Sequence, residues 1–165
     1  MLDSELGSAM QISSIAWMRA PTGSDQGHYF DVNIYMGLCA SDQLSSTFAD
    51  NWVPGTKTLV FSASQLDLSA GANEWEPVTL TTPYWYNGQQ NLLFEVSWAS
   101  ANPSYSFYTW QWETGLTRTV YATNLGSANG IMSTKLSMLQ FEVTLGLDPS
   151  TFGEVKASFG MAGSE

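Results

Sequence analysis

The chain is poor in side chains that perform acid–base or metal chemistry. His28 is the only histidine and Cys39 the only cysteine among 165 residues. A serine triad needs a histidine held against a nucleophile, whereas His28 stands at the entrance of a predicted strand after a glycine-containing loop. A zinc site needs several histidine, cysteine or carboxylate ligands, which one histidine and one cysteine do not favour. We therefore expect no catalytic residues and no enzymatic activity.

Acidic side chains outnumber basic ones by three to one. The chain has 15 Asp and Glu against 5 Lys and Arg, a net charge of −10. Such a charge repels phosphate backbones and anionic lipid, so we expect neither nucleic acid nor a membrane as partner. Glu74 and Glu76 fall on one strand face, and paired carboxylates about 5–10 Å apart in a cleft hydrolyse glycosides. Solvent-facing charge explains the same spacing and is the favoured interpretation.

Calcium is the one metal that the sequence leaves open. This ion takes about six to eight oxygen ligands, often from loop Asp and Asn side chains and backbone carbonyls. Asp25, Asp42 and the pair Asp50–Asn51 supply loop oxygens of that type, although the chain has no EF-hand spacing. No other cofactor is expected.

Aromatic side chains are the most informative candidates for binding. Tyr105, Phe107, Tyr108, Trp110 and Trp112 lie in one predicted strand, residues 104–112, and a further strand is predicted for residues 116–123. If Phe107 faces the core, then Tyr108, Trp110 and Trp112 alternate onto the opposite, solvated face. Three rings there would form a flat platform on which sugar rings or protein partners stack. In the alternative interpretation this face is buried and Phe107 points outward.

A second aromatic cluster, Tyr84–Trp85–Tyr86, precedes the tight-turn sequence Asn87–Gly88. Both turn residues tolerate positive φ. Because turns lie at the surface, at least one of the three rings is expected to be exposed. Trp85 therefore joins the platform residues as a predicted ligand-binding side chain.

The elements that position these residues are predicted to be strands. Residues 30–36 and 92–98 alternate between apolar and other side chains with period two. Eight or nine such short strands, separated by turn signals, predict an all-β protein, an antiparallel β-sandwich of jelly-roll type over residues 1–146. Pro77 predicts an edge position or a bulge for its strand. The expected core, shared by two facing sheets, contains Phe30, Val32, Ile34, Phe94, Val96, Phe141 and Val143.

The C-terminal tail, residues 147–165, has a different pattern. Thr151 and Glu154 have capping-box spacing, and apolar residues occur at near-helical intervals, which predicts one short helix. These apolar residues are Phe152, Val155 and Phe159. Because such side chains are unfavourable in water, we expect one terminus, residues 1–10 or this tail, to pack on a neighbouring subunit.

Several core and turn segments resemble a known kind of module. They are Glu5–Gly7, Ile12–Trp17, Val32–Gly37, Leu59–Phe61, Trp75 with Val78 and Leu80, and Pro83–Val96. Over roughly residues 5–145 the chain resembles the jelly-roll-like β-sandwich modules of secreted, multidomain surface and adhesin-type proteins of bacteria. The resemblance implies a sandwich fold and a non-catalytic role beside adhesins, proteases or glycan-active enzymes. The stretch Pro149–Lys156 resembles the linker to a following domain.

Two functions from different classes are therefore expected. The first is a non-catalytic structural or adhesive subunit of an extracellular or cell-surface assembly, a homo-oligomer or filament joined through termini and sheet edges. The second is a carbohydrate-binding module that stacks glycans on the platform. The chain opens without a basic start or an apolar core, and no apolar run approaches the roughly 20 residues that span a bilayer. A secreted form would thus be mature or trimmed.

Overall fold

A computed structural model describes residues 1–145. The predicted tail helix and the candidate contact residues Phe152, Val155 and Phe159 lie outside the described residues. Of the described residues 57% are in strands and 5% in helices, and the strands form antiparallel sheets. The prediction of an all-β antiparallel sandwich is confirmed, and its jelly-roll assignment stays a prediction.

Within residues 1–145 there are twelve strands, one turn of α-helix and one 3-10 turn. Helix α1 spans Asp3–Leu6, and the 3-10 turn spans Ala49–Asn51. The strands are β1 (Met10–Gly23), β2 (Gly27–Cys39), β3 (Thr58–Leu68), β4 (Trp75–Tyr86), β5 (Asn91–Ser97), β6 (Ser100–Ala101), β7 (Phe107–Thr109), β8 (Gln111–Glu113), β9 (Thr119–Tyr121), β10 (Ile131–Ser133), β11 (Lys135–Ser137) and β12 (Leu139–Leu145).

Two four-stranded sheets enclose the core. The first has the order β12-β1-β4, with β7 added to the far end of β1, and the second has the order β3-β2-β5, with β6 added to β2. All of these pairings are antiparallel. Buried side chains from both sheets form one cluster. Its members include Ile12, Ile15, Val78 and Tyr86 from the first sheet and Ile34, Met36, Val60 and Leu92 from the second.

The predicted core is confirmed in part. Val32 and Ile34 are buried, and Phe94, Val96 and Phe141 pack against the buried cluster while remaining partly exposed. Phe30 is half-buried. The prediction that Val143 lies in the core is wrong, since its side chain is 39% exposed. Its strand, β12, is the outer strand of the first sheet, where a side chain is covered by a neighbour on one side only.

A bulge in β1 explains why its alternation is imperfect. The pairing of β1 with β12 shifts between Ile12 and Ser14, so Ser13 is an extra residue. The extra residue lets Ile12 and Ile15 both face the core although three positions separate them, and both are fully buried. Opposite this point β4 is also irregular. Pro77 lies on β4 at the edge of the sheet, as predicted, and pairs with Ala16.

A long hairpin, which we call the arm (residues 107–138), leaves the end of β1 and returns to β12. Its outward strand consists of β7, β8 and β9, and its return strand of β10 and β11. The sequence predicted two regular strands, residues 104–112 and 116–123. The structure instead breaks the outward strand at Trp110 and again at a turn around Gly115, whose φ is +74°.

Candidate functional site

Exposed apolar side chains are concentrated on the arm. Within residues 1–145, eight of the twelve exposed large hydrophobic side chains belong to it. They are Tyr108, Trp110, Trp112, Tyr121, Leu125, Ile131, Met132 and Met138. Large exposed apolar patches on a soluble domain usually mark interaction surfaces. We therefore take the arm as the candidate functional site.

The structure places the three predicted platform rings in solvent. Phe107 is buried, whereas Tyr108, Trp110 and Trp112 are 55%, 41% and 46% exposed. The structure therefore agrees with the interpretation in which Phe107 faces the core and the three rings face solvent. The Tyr108 ring lies over Gly23, so closely that a Cβ on Gly23 would be 2.5 Å from it. A glycine is therefore required beneath this ring.

Trp110 is fixed at the junction between the arm and the body. Its indole Nε1 donates to Asn73 Oδ1 at 2.8 Å. Its backbone N–H donates to the carbonyl of Met18, and its own carbonyl accepts from the N–H of Met138. The backbone of Trp110 is thus held by β1 and by the return side of the arm, and its ring by the β3–β4 turn. Such fixation lowers the entropy lost when a ligand stacks on the ring.

Trp112 lies beside a buried cation. The Arg118 guanidinium carbon is 5.9 Å from the centre of the Trp112 ring, within the range of a cation–π contact. Arg118 also donates through Nη1 and Nη2 to both oxygens of Glu5, at 2.8 and 2.5 Å. Its side chain is only 6% exposed. Donation from Arg118 lowers the pKa of Glu5 from 4.5 to about 2.

Trp85 is not part of this cluster. It is half-buried on β4 and pairs with Gln11 near the start of β1. Thr109, between the platform rings, pairs with Arg19 near the other end of β1. At about 3.3 Å per strand residue these positions are roughly 25 Å apart. The structure therefore separates Trp85 from Tyr108, Trp110 and Trp112, and a ligand would meet it as a separate ring.

The other two rings of the turn cluster are structural. Tyr84 and Tyr86 are buried, and Tyr86 Oη donates to the Gln90 carbonyl at 2.7 Å. Burial raises the pKa of both phenols. The expectation of an exposed ring beside this turn is met only in part, since Trp85 is half-buried and the other two rings are buried.

The far end of the arm rests on the loop between β2 and β3. Backbone hydrogen bonds join Leu44 to Thr117, Ser46 to Gly130 and Phe48 to Ala128, and Thr47 forms a bridge with Asn129. Asn51 organises this loop. Its amide oxygen accepts from Ser45 N at 2.7 Å, and its amide nitrogen donates to the carbonyls of Ser45 and Thr47, each at 3.0 Å. No pattern in the sequence predicts this contact between the arm and the β2–β3 loop.

The candidate calcium ligands are dispersed. Among residues 1–145 no group of three or more His, Cys, Asp or Glu side chains is close enough to hold a metal. Asp25, Asp42 and Asp50 therefore form no such group, and Asp42 Oδ1 accepts from Asn91 Nδ2 instead. The amide of Asn51 is used within its own loop. Calcium binding stays a prediction without a defined site.

The groups considered for catalysis have structural partners. His28 Nδ1 lies 2.6 Å from Asp67 Oδ1, but no hydroxyl or thiol of residues 1–145 hydrogen-bonds to its other nitrogen. Hydrogen bonds from Gln65, and secondarily from His28, lower the pKa of Asp67. Glu76 accepts from two backbone N–H groups of the turn between β3 and β4, and Glu74 accepts from Gly71 N. The Glu74–Glu76 pair thus stabilises a turn.

The N-terminal residues pack on their own chain. Met1 exchanges two backbone hydrogen bonds with Leu92 at the free side of β5, and Asp3 N donates to Asn91 Oδ1. Together with the Glu5–Arg118 pair, these contacts join the segment to β5 and to the arm. Within the described chain these contacts cover a strand of the same molecule, and the expectation that one terminus packs on a neighbouring subunit stays a prediction.

Comparisons of the chain with protein-family models, with curated proteins and with solved structures found no match in any of the three. Among residues 1–145 no helix has the length and apolar character needed to span a bilayer.

Proposed function

We propose that this chain is a non-catalytic structural or adhesive subunit of an extracellular or cell-surface assembly, held together by contacts between copies. One observation carries the proposal, namely the concentration of exposed apolar side chains on the arm of a strongly acidic protein. Each large apolar side chain removed from water contributes about 1.5–3 kcal/mol. A contact that covers several of them supplies enough free energy for association.

The open sheet edges support the same proposal. β12 and β4 are the outer strands of the first sheet within the described chain, and an outer strand has N–H and C=O groups that another chain can pair with. The tail residues Phe152, Val155 and Phe159 stay candidate contacts in this assembly. The sparse charge, 12% of residues, and the 13% aromatic content suit a β-rich extracellular protein.

The oligomeric state tests the proposal. Light scattering coupled to size exclusion, sedimentation velocity and negative-stain microscopy should show oligomers or filaments that grow as the concentration rises from micromolar to millimolar. A variant in which Trp110, Ile131 and Met132 are all changed to Ser removes apolar area from the arm and should associate more weakly than the wild type. A chain that stays monomeric at 18.1 kDa throughout this range would contradict the proposal.

A second candidate function is carbohydrate binding on the platform. It is favoured by the exposure of Tyr108, Trp110 and Trp112 and by the hydrogen bond that fixes Trp110. Aromatic rings held in this way stack on the apolar faces of sugars, and each such contact contributes on the order of 1 kcal/mol.

A glycan array tests the second candidate. Binding should disappear in the double variant Trp110→Ala, Trp112→Ala and persist in Leu59→Ala, which removes an exposed apolar side chain from β3. Trp85→Ala measures whether the separate ring contributes. Absence of binding to any arrayed sugar would count against this function while leaving the structural proposal in place.

A further inference from the structure

We propose that a cavity at the Cys39 end of β2 binds a small neutral polyhydroxylated molecule, such as a monosaccharide or disaccharide. The cavity has a volume of about 390 Å³. Its walls come from the segment after β2 (residues 39–45), from the 3-10 turn and the residues that follow it (50–54), and from Gln90 before β5. Sites for small molecules have volumes of roughly 300–1,000 Å³, so this cavity suits one or two sugar rings. The inference goes beyond the proposed structural function and does not depend on it.

Hydrogen bonds within the chain hold the walls of the cavity in place. The carbonyl of Ser41 accepts from Asn91 Nδ2 at 3.0 Å. The side chain of Asn51 makes three hydrogen bonds within the β2–β3 loop, and Val53 N donates to the Leu38 carbonyl at 2.8 Å. A site whose walls are already held loses little conformational entropy when a ligand binds.

Three polar side chains of the walls are left for a ligand. The hydrogen bonds that Gln43, Asp50 and Gln90 make within residues 1–145 use their backbone groups. Their two side-chain amides and one carboxylate therefore have no partner in the described part of the chain. Trp52 adds an apolar wall. Its ring lies so close to Gly37 that a Cβ there would be 2.8 Å away, which fixes the ring on β2.

The chemistry of these groups favours hydroxyls. A carboxylate only accepts hydrogen bonds and an amide both donates and accepts, and a hydroxyl can pair with either. The C–H groups of a sugar ring can pack on the Trp52 indole. The binding partner of the cavity is therefore expected to carry several hydroxyl groups on a compact apolar frame.

Charge disfavours the other classes of small ligand. Asp50 is the one charged side chain among the described residues that line the cavity, and the chain has a net charge of −10. An anion would find no cation in these walls and is repelled by the chain. An ammonium group would bind Asp50, but it has no acceptor for the amide N–H groups of Gln43 and Gln90.

Titrations followed through the amide NMR signals of the full chain test the site. The neutral probes are glucose, galactose, mannose, N-acetylglucosamine and the disaccharide lactose. At least one of them should shift the signals of residues 39–54 and Gln90. Ethylammonium chloride and inorganic phosphate are the charged probes, and they should leave these signals unchanged.

Two substitutions in the walls should weaken binding of that sugar. Asp50→Ala and Gln90→Ala should each lower the affinity about tenfold, because each removes hydrogen bonds made to the ligand. Neither side chain has a partner within residues 1–145, so both variants should keep the thermal melt of the wild type. Asp25→Ala is the matched control. It removes an exposed carboxylate near the Gly27 end of β2 and should leave the affinity unchanged.

The same measurements can overturn the inference. It fails if no sugar shifts these signals up to its solubility limit, or if ethylammonium or phosphate binds there in place of sugars. Binding that persists in Asp50→Ala and Gln90→Ala but disappears in Trp110→Ala belongs to the platform. That result overturns the cavity site and supports the second candidate function. Association between copies is measured separately, so each of these results leaves the structural proposal to its own test.

Discussion

At the scale of single residues, the Glu5–Arg118 pair is the most consequential contact that the structure adds. It joins two residues 113 positions apart and holds the outward strand of the arm against the N-terminal segment. Arg118 is nearly enclosed whereas Glu5 is partly exposed. Loss of the carboxylate would leave an enclosed guanidinium without its partner, which is the costly way to break an ion pair.

This pair makes a defined contribution to acid sensitivity. The pKa of Glu5 is about 2 in the folded chain and near 4.5 when unperturbed. Because the folded pKa is the lower one, the stabilisation is complete above about pH 4.5 and is lost as the pH falls from there towards 2. We expect Glu5→Gln to lower the free energy of unfolding at pH 7 by about 1–2 kcal/mol, after allowance for solvent screening of the exposed carboxylate.

Urea melts at several pH values provide the measurement. Glu5→Gln should flatten the loss of stability between pH 4.5 and 2, so that variant and wild type converge in acid. Glu142→Gln, at an exposed position of β12, serves as the control and should keep the wild-type slope. An unchanged slope in Glu5→Gln would show that this contact does not contribute.

At the scale of elements, the attachment of the arm depends on a glycine that the chain cannot replace. A Cβ at Gly130 would lie 2.6 Å from Val120 Cγ1 and 2.8 Å from both the Phe48 ring and the Tyr121 carbonyl. Such distances require the strand pair β9–β10 to open at the Tyr121 carbonyl, and they press the end of the arm, residues 119–133 (the tip), away from Phe48 of the β2–β3 loop. Gly126 of the same tip meets nothing within 4 Å, although its φ of +84° disfavours a side chain.

We therefore expect Gly130→Ala to detach the tip while leaving the sandwich folded. Hydrogen exchange should accelerate at the amides of Phe48 and Gly130, which bond across this contact, and not at those of β1 and β2. Gly126→Ala should cost about 1 kcal/mol through its backbone conformation and leave these amides protected. Equal exchange in both variants would contradict the packing argument.

The sequence predicted elements well wherever one face is uniformly covered. In β2, Val32, Ile34 and Met36 alternate strictly because one sheet face is buried along most of its length. In β1 the extra residue Ser13 disturbs the period, and nothing local announces a bulge. The sequence predicts regular strands in the arm because the backbone bonds of Trp110 at the break go to Met18 and Met138, which are distant in the chain.

Part of the candidate site could be predicted from the sequence, and part depends on the fold. Period-two alternation predicts that Tyr108, Trp110 and Trp112 are exposed if Phe107 faces the core. This was one of the two interpretations that the sequence allowed. Glu5 and Arg118 gave no sign of their contact, because a pair 113 residues apart depends on tertiary folding alone. The distance of Trp85 from the platform could not be predicted for a related reason, since it depends on how the strands are arranged in the fold.

At the scale of the whole molecule, the net charge of −10 opposes association at low ionic strength. The Debye length shortens from about 30 Å at 0.01 M salt to about 8 Å at 0.15 M. If copies associate through the apolar side chains of the arm, the association constant should rise over this range, because added salt screens the mutual repulsion of two acidic molecules. Sedimentation at graded NaCl concentrations measures this dependence. Weaker association at higher salt would indicate a contact held mainly by ion pairs.

The lengths of β1 and β2 have a mechanical consequence. These strands have 14 and 13 residues and run between the two ends of the sandwich. Tension along these strands loads the hydrogen bonds that join β1 to β4 and β12 in shear, so that these bonds share the force. Pulling at right angles, from β4 to β12, would instead open the ladders one bond after another. Single-molecule force spectroscopy should therefore find a higher rupture force between residues 22 and 144, at opposite ends of the paired strands β1 and β12, than between residues 79 and 143.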